Sequence, residues 1–131
     1  PHCVVRCDSL PTSAQLAEWG SALEKHPAFP QGVNVEFVRQ DGPTAWTVVV
    51  WERGSGATLA CGTGACAAVA AQVLQGYCPR QTPVTVTLPG GTLTVEILPD
   101  DTVLLTGPAE TVYEGIWDGV KQFLLYNKNV C

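Results

Sequence analysis

Glu52 and Cys61 are the residues of this chain best suited to carry chemistry, and the glycines around them indicate which chemistry. The run W-E-R-G-S-G-A-T-L-A-C-G-T-G-A-C-A-A, from Trp51 to Ala68, puts a carboxyl and a guanidinium at the end of a β-branched stretch. It breaks at Gly54 and Gly56, then sets Cys61 on Gly62-Thr63-Gly64 at the mouth of an Ala-rich helical segment. The first amides of a helix lack internal partners, and the aligned peptide dipoles place roughly half a positive charge there. An anion at that end gains roughly 0.3–2 kcal/mol. The anion can be the thiolate of Cys61, a bound carboxylate, or both. So modest a bias suits a group that must both take and return a proton. Glu52 is the carboxyl with which such a thiol can share one.

The elements that must position these groups follow from periodicity. After Cys61, the residues Ala65, Ala67, Ala68, Val69, Ala70, Ala71, Val73 and Leu74 leave no polar face, and no formal charge occurs from Gly54 to Pro79. A helix apolar on all sides is expected to be buried on all sides. Glycines, Thr58, Thr63, Gln72 and Gln75 dilute the run too far for a membrane span. A core helix wrapped by sheet is the expectation.

Ahead of it, His2 to Cys7 alternates as a strand, with His2, Val4 and Arg6 on one face and Cys3, Val5 and Cys7 on the other. Thr12 and Ser13 cap a helix over Ser13 to Lys25, whose stripe is Leu16, Trp19 or Gly20, and Leu23. Val33 to Gln40 sets Val33, Val35 and Phe37 inward against Asn34, Glu36 and Val38, and Asp41-Gly42-Pro43 turns into a strand from Thr44 to Glu52. Beyond the central helix, Pro83 to Leu88 and Thr92 to Leu98 form a hairpin. Strands follow at Val103 to Thr106 and Thr111 to Tyr113, and an amphipathic helix at Ile116 to Tyr126. The expected class is α+β: a mostly antiparallel, curved sheet or barrel wrapped around one buried central helix.

Composition narrows the partners. The chain has 131 residues, enough for one domain with a real core, and its 46% hydrophobic and 15% charged content fits a globular protein. Twelve acidic against seven basic residues give a net charge of −5, which argues against nucleic acid and against an anionic membrane surface. The six cysteines, Cys3, Cys7, Cys61, Cys66, Cys78 and Cys131, contain no C-x-x-C pair, and no secretory leader is expected. Reduced thiols in a cytoplasmic setting are expected. Cys3 and Cys7 lie on the opposite strand face from His2 and lack ligand spacing, so no metal site is expected. Cys66, within the helix, reads as packing.

The run from Glu52 to Ala68 resembles the second-half signature of the diaminopimelate epimerases. Three further stretches agree in order and spacing: P-H-C-V-V at Pro1 to Val5, H-P-A-F-P-Q-G-V-N-V-E-F at His26 to Phe37, and L-P-G-G followed by G-P-A-E-T-V-Y-E-G at Gly107 to Gly115. The resemblance covers residues 1–115, leaving 116–131 as an extra C-terminal tail. It implies one half of a two-half fold, each half a barrel around a central helix. It also implies cofactor-independent interconversion of LL- and meso-diaminopimelate for lysine and cell-wall synthesis, without pyridoxal phosphate.

By that resemblance Cys61 exchanges the substrate α-proton on one face, with Glu52 assisting. Gly62 and Thr63 offer amides to the α-carboxylate, Asn34 and Arg53 bind the distal end of the substrate, and His2 assists the other catalytic cysteine. The first half's own Cys-Gly-Asn motif does not occur in this sequence. The implied partners are diaminopimelate and an N-terminal half bearing the second thiol, and the chain alone is expected to be inactive. A homodimer is a further assembly the resemblance allows, in the cytoplasm, or the plastid stroma for a plant or alga. Two other functions fit the same architecture: half of a racemase acting on proline-like substrates, and a non-catalytic barrel module.

Overall fold

The structure is a computed structural model and describes residues 1–116. Its first unit is β1 (His2–Arg6), α1 (Ser13–Glu24) and β2 (Asn34–Gly42), with β1 and β2 parallel. Thr12 caps α1 by accepting from the Gln15 amide while the Gln15 side chain returns to the Thr12 amide, a capping box that fixes where the helix starts. Strand β3 (Ala45–Glu52) returns antiparallel to β2 and turns at the glycines into β4 (Gly56–Thr58). Helix α2 (Gly62–Leu74) then carries the chain across to β5 (Val84–Leu88), which lies parallel to β3. Strands β6 (Gly91–Ile97) and β7 (Val103–Thr106) finish the sheet as an antiparallel meander.

The sheet order is β1-β2-β3-β5-β6-β7, with β4 added on β3. This is the expected α+β class, a curved and mostly antiparallel sheet, with two differences. Two of the pairs are parallel, because each spans a helical crossover rather than a tight turn. Among the described residues the sheet is also open, with β1 and β7 as its two ends, so it does not enclose α2. One side of α2 is buried, through Gly64, Ala65, Ala68, Val69 and Gln72, while Leu74 is 76% exposed. An all-apolar helix specifies no buried side by itself; the sheet decides which side is covered.

Both faces of the central strands are covered. Val48 and Val50 of β3, Val38 of β2 and Val86 of β5 pack with Ala65, Ala68 and Val69 of α2. Val35 and Phe37 of β2 pack with Leu16 of α1, joined by Cys3, Val5, Val49 and Trp51. Fully burying a valine is worth roughly 1.5–3 kcal/mol, so the two layers hold the site end of β1, β2 and β3 rigidly. Of the two candidates for the α1 stripe, Gly20 faces inward: a Cβ there would come 2.5 Å from Cγ of Trp51, and Trp19 is left 42% exposed.

The strand expected at Thr111 to Tyr113 does not form. Among the described residues they have no neighbouring strand to bond, and Val112 and Tyr113 stay 91% and 84% exposed. The three-residue strand β4, read from sequence only as a glycine break, is present instead. The helix expected over Ile116 to Tyr126, Cys131 and the tail 116–131 lie outside the described residues from 117 onward.

Candidate active site

Cys61 occupies the position that its sequence context suggests. It is the N-cap of α2, with extended backbone at φ −140° and ψ 108°, and its Sγ accepts the Gly64 amide at 3.3 Å. The hydroxyl of Thr63 lies 3.5 Å from the same sulfur. The Ala65 amide bonds the Cys61 carbonyl at 2.9 Å. Of the first-turn donors, this leaves the amides of Gly62 and Thr63 unused by the helix and its cap. The sulfur is covered: Cys61 is 1% exposed and belongs to the core under α2. Leu105 of β7 reaches over this first turn, its Cδ2 being 3.1 Å from where a Cβ on Gly62 would stand.

Glu52 ends β3 on the same face as Val48 and Val50, the face that α2 covers. Its carboxylate accepts the Thr58 hydroxyl at 2.6 Å, so β4 supplies the group that orients it. Two residues, Leu59 and Ala60, separate Thr58 from Cys61 along the chain. The β3–β4 turn is fixed from the α1 side: Glu24 accepts Nε1 of Trp51 at 2.7 Å and the Gly54 amide at 2.9 Å. These bonds hold the Glu24 carboxyl below the usual carboxylate range, the Trp51 bond contributing most.

Asn34 and Arg53 come together as a pair. The Asn34 side-chain oxygen accepts the Arg53 amide at 2.8 Å. The Arg53 guanidinium donates to the Gln31 carbonyl at 2.8 Å, while its aliphatic stem lies across Gly32, whose φ of +72° is open to glycine. One donor of five is thus spent on the loop, leaving others for an anion. A depression of about 270 Å³ beside this loop is lined by Pro1, Ala28, Phe29, Pro30, Gln31 and Gly32.

His2 meets a residue that the alternation had set outward. Glu36 is 0% exposed, because its face of β2 is the one α2 covers, and its Oε1 lies 2.7 Å from Nδ1 of His2. Burial pushes the Glu36 carboxyl up, against the opposing hydrogen bond and charge of His2. Burial likewise raises the Cys3 and Cys66 thiols, with Glu36 adding to the first and Cys61 to the second. Cys3, Cys7, Cys61, Cys66 and Cys78 are all free thiols. No cluster of potential metal ligands occurs among the described residues, and no helix among them is long and apolar enough to cross a membrane.

Comparison with known proteins agrees with the geometry. The family described as diaminopimelate epimerase matches residues 1–112. Diaminopimelate epimerase of Desulfitobacterium hafniense is 50% identical over 116 residues, covering 88% of this chain and 40% of that protein. The enzyme of Microcystis aeruginosa is 50% identical over 118 residues (89% and 41%), and that of Bacillus subtilis 47% over 117 (89% and 41%). The chain thus spans about two fifths of the length of these curated relatives. In fold it is similar to a PhzF-family phenazine biosynthesis protein of Bacillus anthracis, with a TM-score of 0.57 and 17% identity over 80% of this chain and 33% of that one. A predicted epimerase of Pseudomonas aeruginosa gives 0.54 and 17% over 72% and 31%. With the family matched across most of its length, the chain belongs to the diaminopimelate epimerases.

Proposed function

We propose that this chain supplies one half of the active site of an epimerase that interconverts LL- and meso-diaminopimelate. The observation that carries the reading is the seat of Cys61, with its sulfur on the first turn of α2 beside two amides that the helix does not use. The Cys61 thiolate takes the α-hydrogen as a proton, and the electron pair of the broken C–H bond spreads into the α-carboxylate. The amides of Gly62 and Thr63 hold that carboxylate as its charge grows. A thiol on the opposite face, contributed by the N-terminal half, then forms the new C–H bond. Glu52, oriented by Thr58, exchanges the Cys61 proton, and His2 serves the opposite thiol.

The distal amino-acid group of the substrate meets Asn34 and Arg53. The guanidinium donors of Arg53 beyond the one given to the Gln31 carbonyl suit a substrate with a charged far end over a proline-like monocarboxylic one. Two thiols on opposite faces are required, so the chain alone is expected to leave diaminopimelate unchanged, and the chain joined to an N-terminal half to epimerise it. Turnover by this chain alone contradicts the division of labour.

A further inference from the structure

Among the described residues, Glu36 is the one carboxyl or basic side chain with no exposed surface. Taking a carboxylate out of water costs several kcal/mol unless its oxygens find partners. Here Oε1 has His2, but Oε2 has no hydrogen-bond partner. A buried carboxyl held through one oxygen only asks for a reason.

A Cβ built on Gly64 would lie 2.9 Å from Oε1 of Glu36 and 3.2 Å from Sγ of Cys61. The carboxylate oxygen and the sulfur are therefore no farther apart than those two lengths laid end to end. On its other side Glu36 holds His2, whose side chain is 25% exposed against 0% for Glu36. One carboxyl thus joins the helix terminus that seats Cys61 to an imidazole that reaches solvent.

We propose that Glu36 is a positioning residue: it binds Nδ1 of His2, and so makes Nε2 the nitrogen through which His2 exchanges protons. Consider the pair by its protons. With two protons the dyad is neutral: Nε2 carries one, and the other bridges Oε1 and Nδ1. Loss of one proton leaves Nδ1–H facing a carboxylate and a lone pair at Nε2. Burial disfavours the bare carboxylate, and the lone pair at Nε2 is the open position for a returning proton. In both forms the Nδ1 edge is committed. Only the catalytic use of the dyad rests on the epimerase reading; the dyad itself is a property of this chain.

Imidazole ¹⁵N NMR of the whole chain reads the arrangement, since His2 and His26 are its two histidines. His26 is the internal contrast: its Nδ1 accepts the Ala28 amide at 3.2 Å, so its neutral ring carries hydrogen on Nε2. In mildly alkaline solution the neutral His2 ring is expected in the opposite tautomer, with hydrogen on Nδ1. Glu36→Leu, checked for folding by circular dichroism, should return His2 to the Nε2–H form that free imidazoles favour. Glu36→Gln, which still accepts from Nδ1, should keep the Nδ1–H form.

In that mildly alkaline solution, a neutral His2 ring with hydrogen on Nε2 and none on Nδ1 in the unaltered chain overturns the assignment even if no variant folds. An unchanged His2 tautomer in folded Glu36→Leu overturns it too. In the chain joined to an N-terminal half, Glu36→Leu should lower kcat by roughly 10- to 100-fold with KM little changed, less than the ~10²–10⁴ that a positioned acid or base supplies. An unchanged kcat overturns the catalytic use. If the unaltered joined protein shows no epimerase activity, the epimerase reading fails, and the tautomer result still decides the dyad.

Discussion

Gly64→Ala sets two effects of known sign against each other at the centre of the site. Alanine in place of glycine inside a helix gains roughly 0.8–1 kcal/mol. Against that, the new Cβ would stand 2.9 Å from Oε1 of Glu36, 3.2 Å from Sγ of Cys61 and 3.3 Å from Cβ of Cys61. A carboxylate oxygen at the end of a flexible side chain normally yields at little cost. This one is fully buried and tied to His2 at 2.7 Å, so yielding weakens a bond to a charged group worth roughly 1.5–3 kcal/mol. Crowding in a packed core adds roughly 1–3 kcal/mol. The expected net result is destabilisation by roughly 1–3 kcal/mol. Urea unfolding should show it as a lower midpoint with an unchanged slope. Gly62→Ala is the control, because among the described residues its new Cβ meets only Cδ2 of half-exposed Leu105, at 3.1 Å, and should be near neutral. In a Glu36→Ala background the cost of Gly64→Ala should shrink, since the obstructing oxygen is gone. A Gly64→Ala chain as stable as the parent would refute the close packing of carboxylate, sulfur and helix.

Three further predictions test other parts of the account. In the joined protein, Arg53→Ala should weaken substrate binding by roughly 2–5 kcal/mol, the range for breaking a desolvated charge pair; unchanged affinity by calorimetry removes the distal clamp. Stability should respond to pH with opposite signs at two carboxyls. Glu36, raised by burial, contributes stability that is complete below about pH 4.3 and fades as pH rises through its folded value. Glu24, lowered chiefly by Trp51, contributes stability present above that pH and lost as pH falls through its folded value. Melting curves of Glu36→Gln and Glu24→Gln should flatten these two limbs separately; one limb responding to both variants would contradict the assignment. Finally, a maleimide should label Cys3 and Cys7 before Cys61, and Leu105→Ala should speed labelling at Cys61 severalfold, read by peptide mass spectrometry. Cys61 reacting first in the unaltered chain would contradict its burial.

Much of this was legible locally. The Thr12–Gln15 cap, the strand before Glu52 and the helix opening at Gly62 each rest on a few neighbouring residues, and sequence reasoning places them within a residue or two. Cys61 was legible because a cysteine followed by Gly-Thr-Gly at a helix start is a local pattern with a local physical meaning. Glu36 was not. Alternation reports which residues of β2 share a face, but whether that face meets water depends on α2, which is contributed from 26 positions farther along the chain by its first residue Gly62. Val38, on the same face as Glu36, was the available signal that the face is not a solvated one. The parallel pairing of β3 with β5 was hidden for the same reason, since it is set by where a crossover helix lands. The failed strand at Thr111 to Tyr113 is the converse case: its residues favour a strand, but no strand among the described residues lies beside it to bond.

The most direct test is deuterium uptake at the substrate α-carbon. The chain is joined to an N-terminal half and incubated with LL-diaminopimelate in D₂O, and label is followed by mass spectrometry in the unaltered protein and in Cys61→Ser. A serine hydroxyl can still cap α2, so folding should survive while the thiol that moves the proton is gone. The unaltered protein should incorporate deuterium as it forms the meso isomer, and Cys61→Ser should form no meso isomer. Epimerisation by folded Cys61→Ser at the parent rate would contradict the assignment of Cys61 as the proton-transferring group.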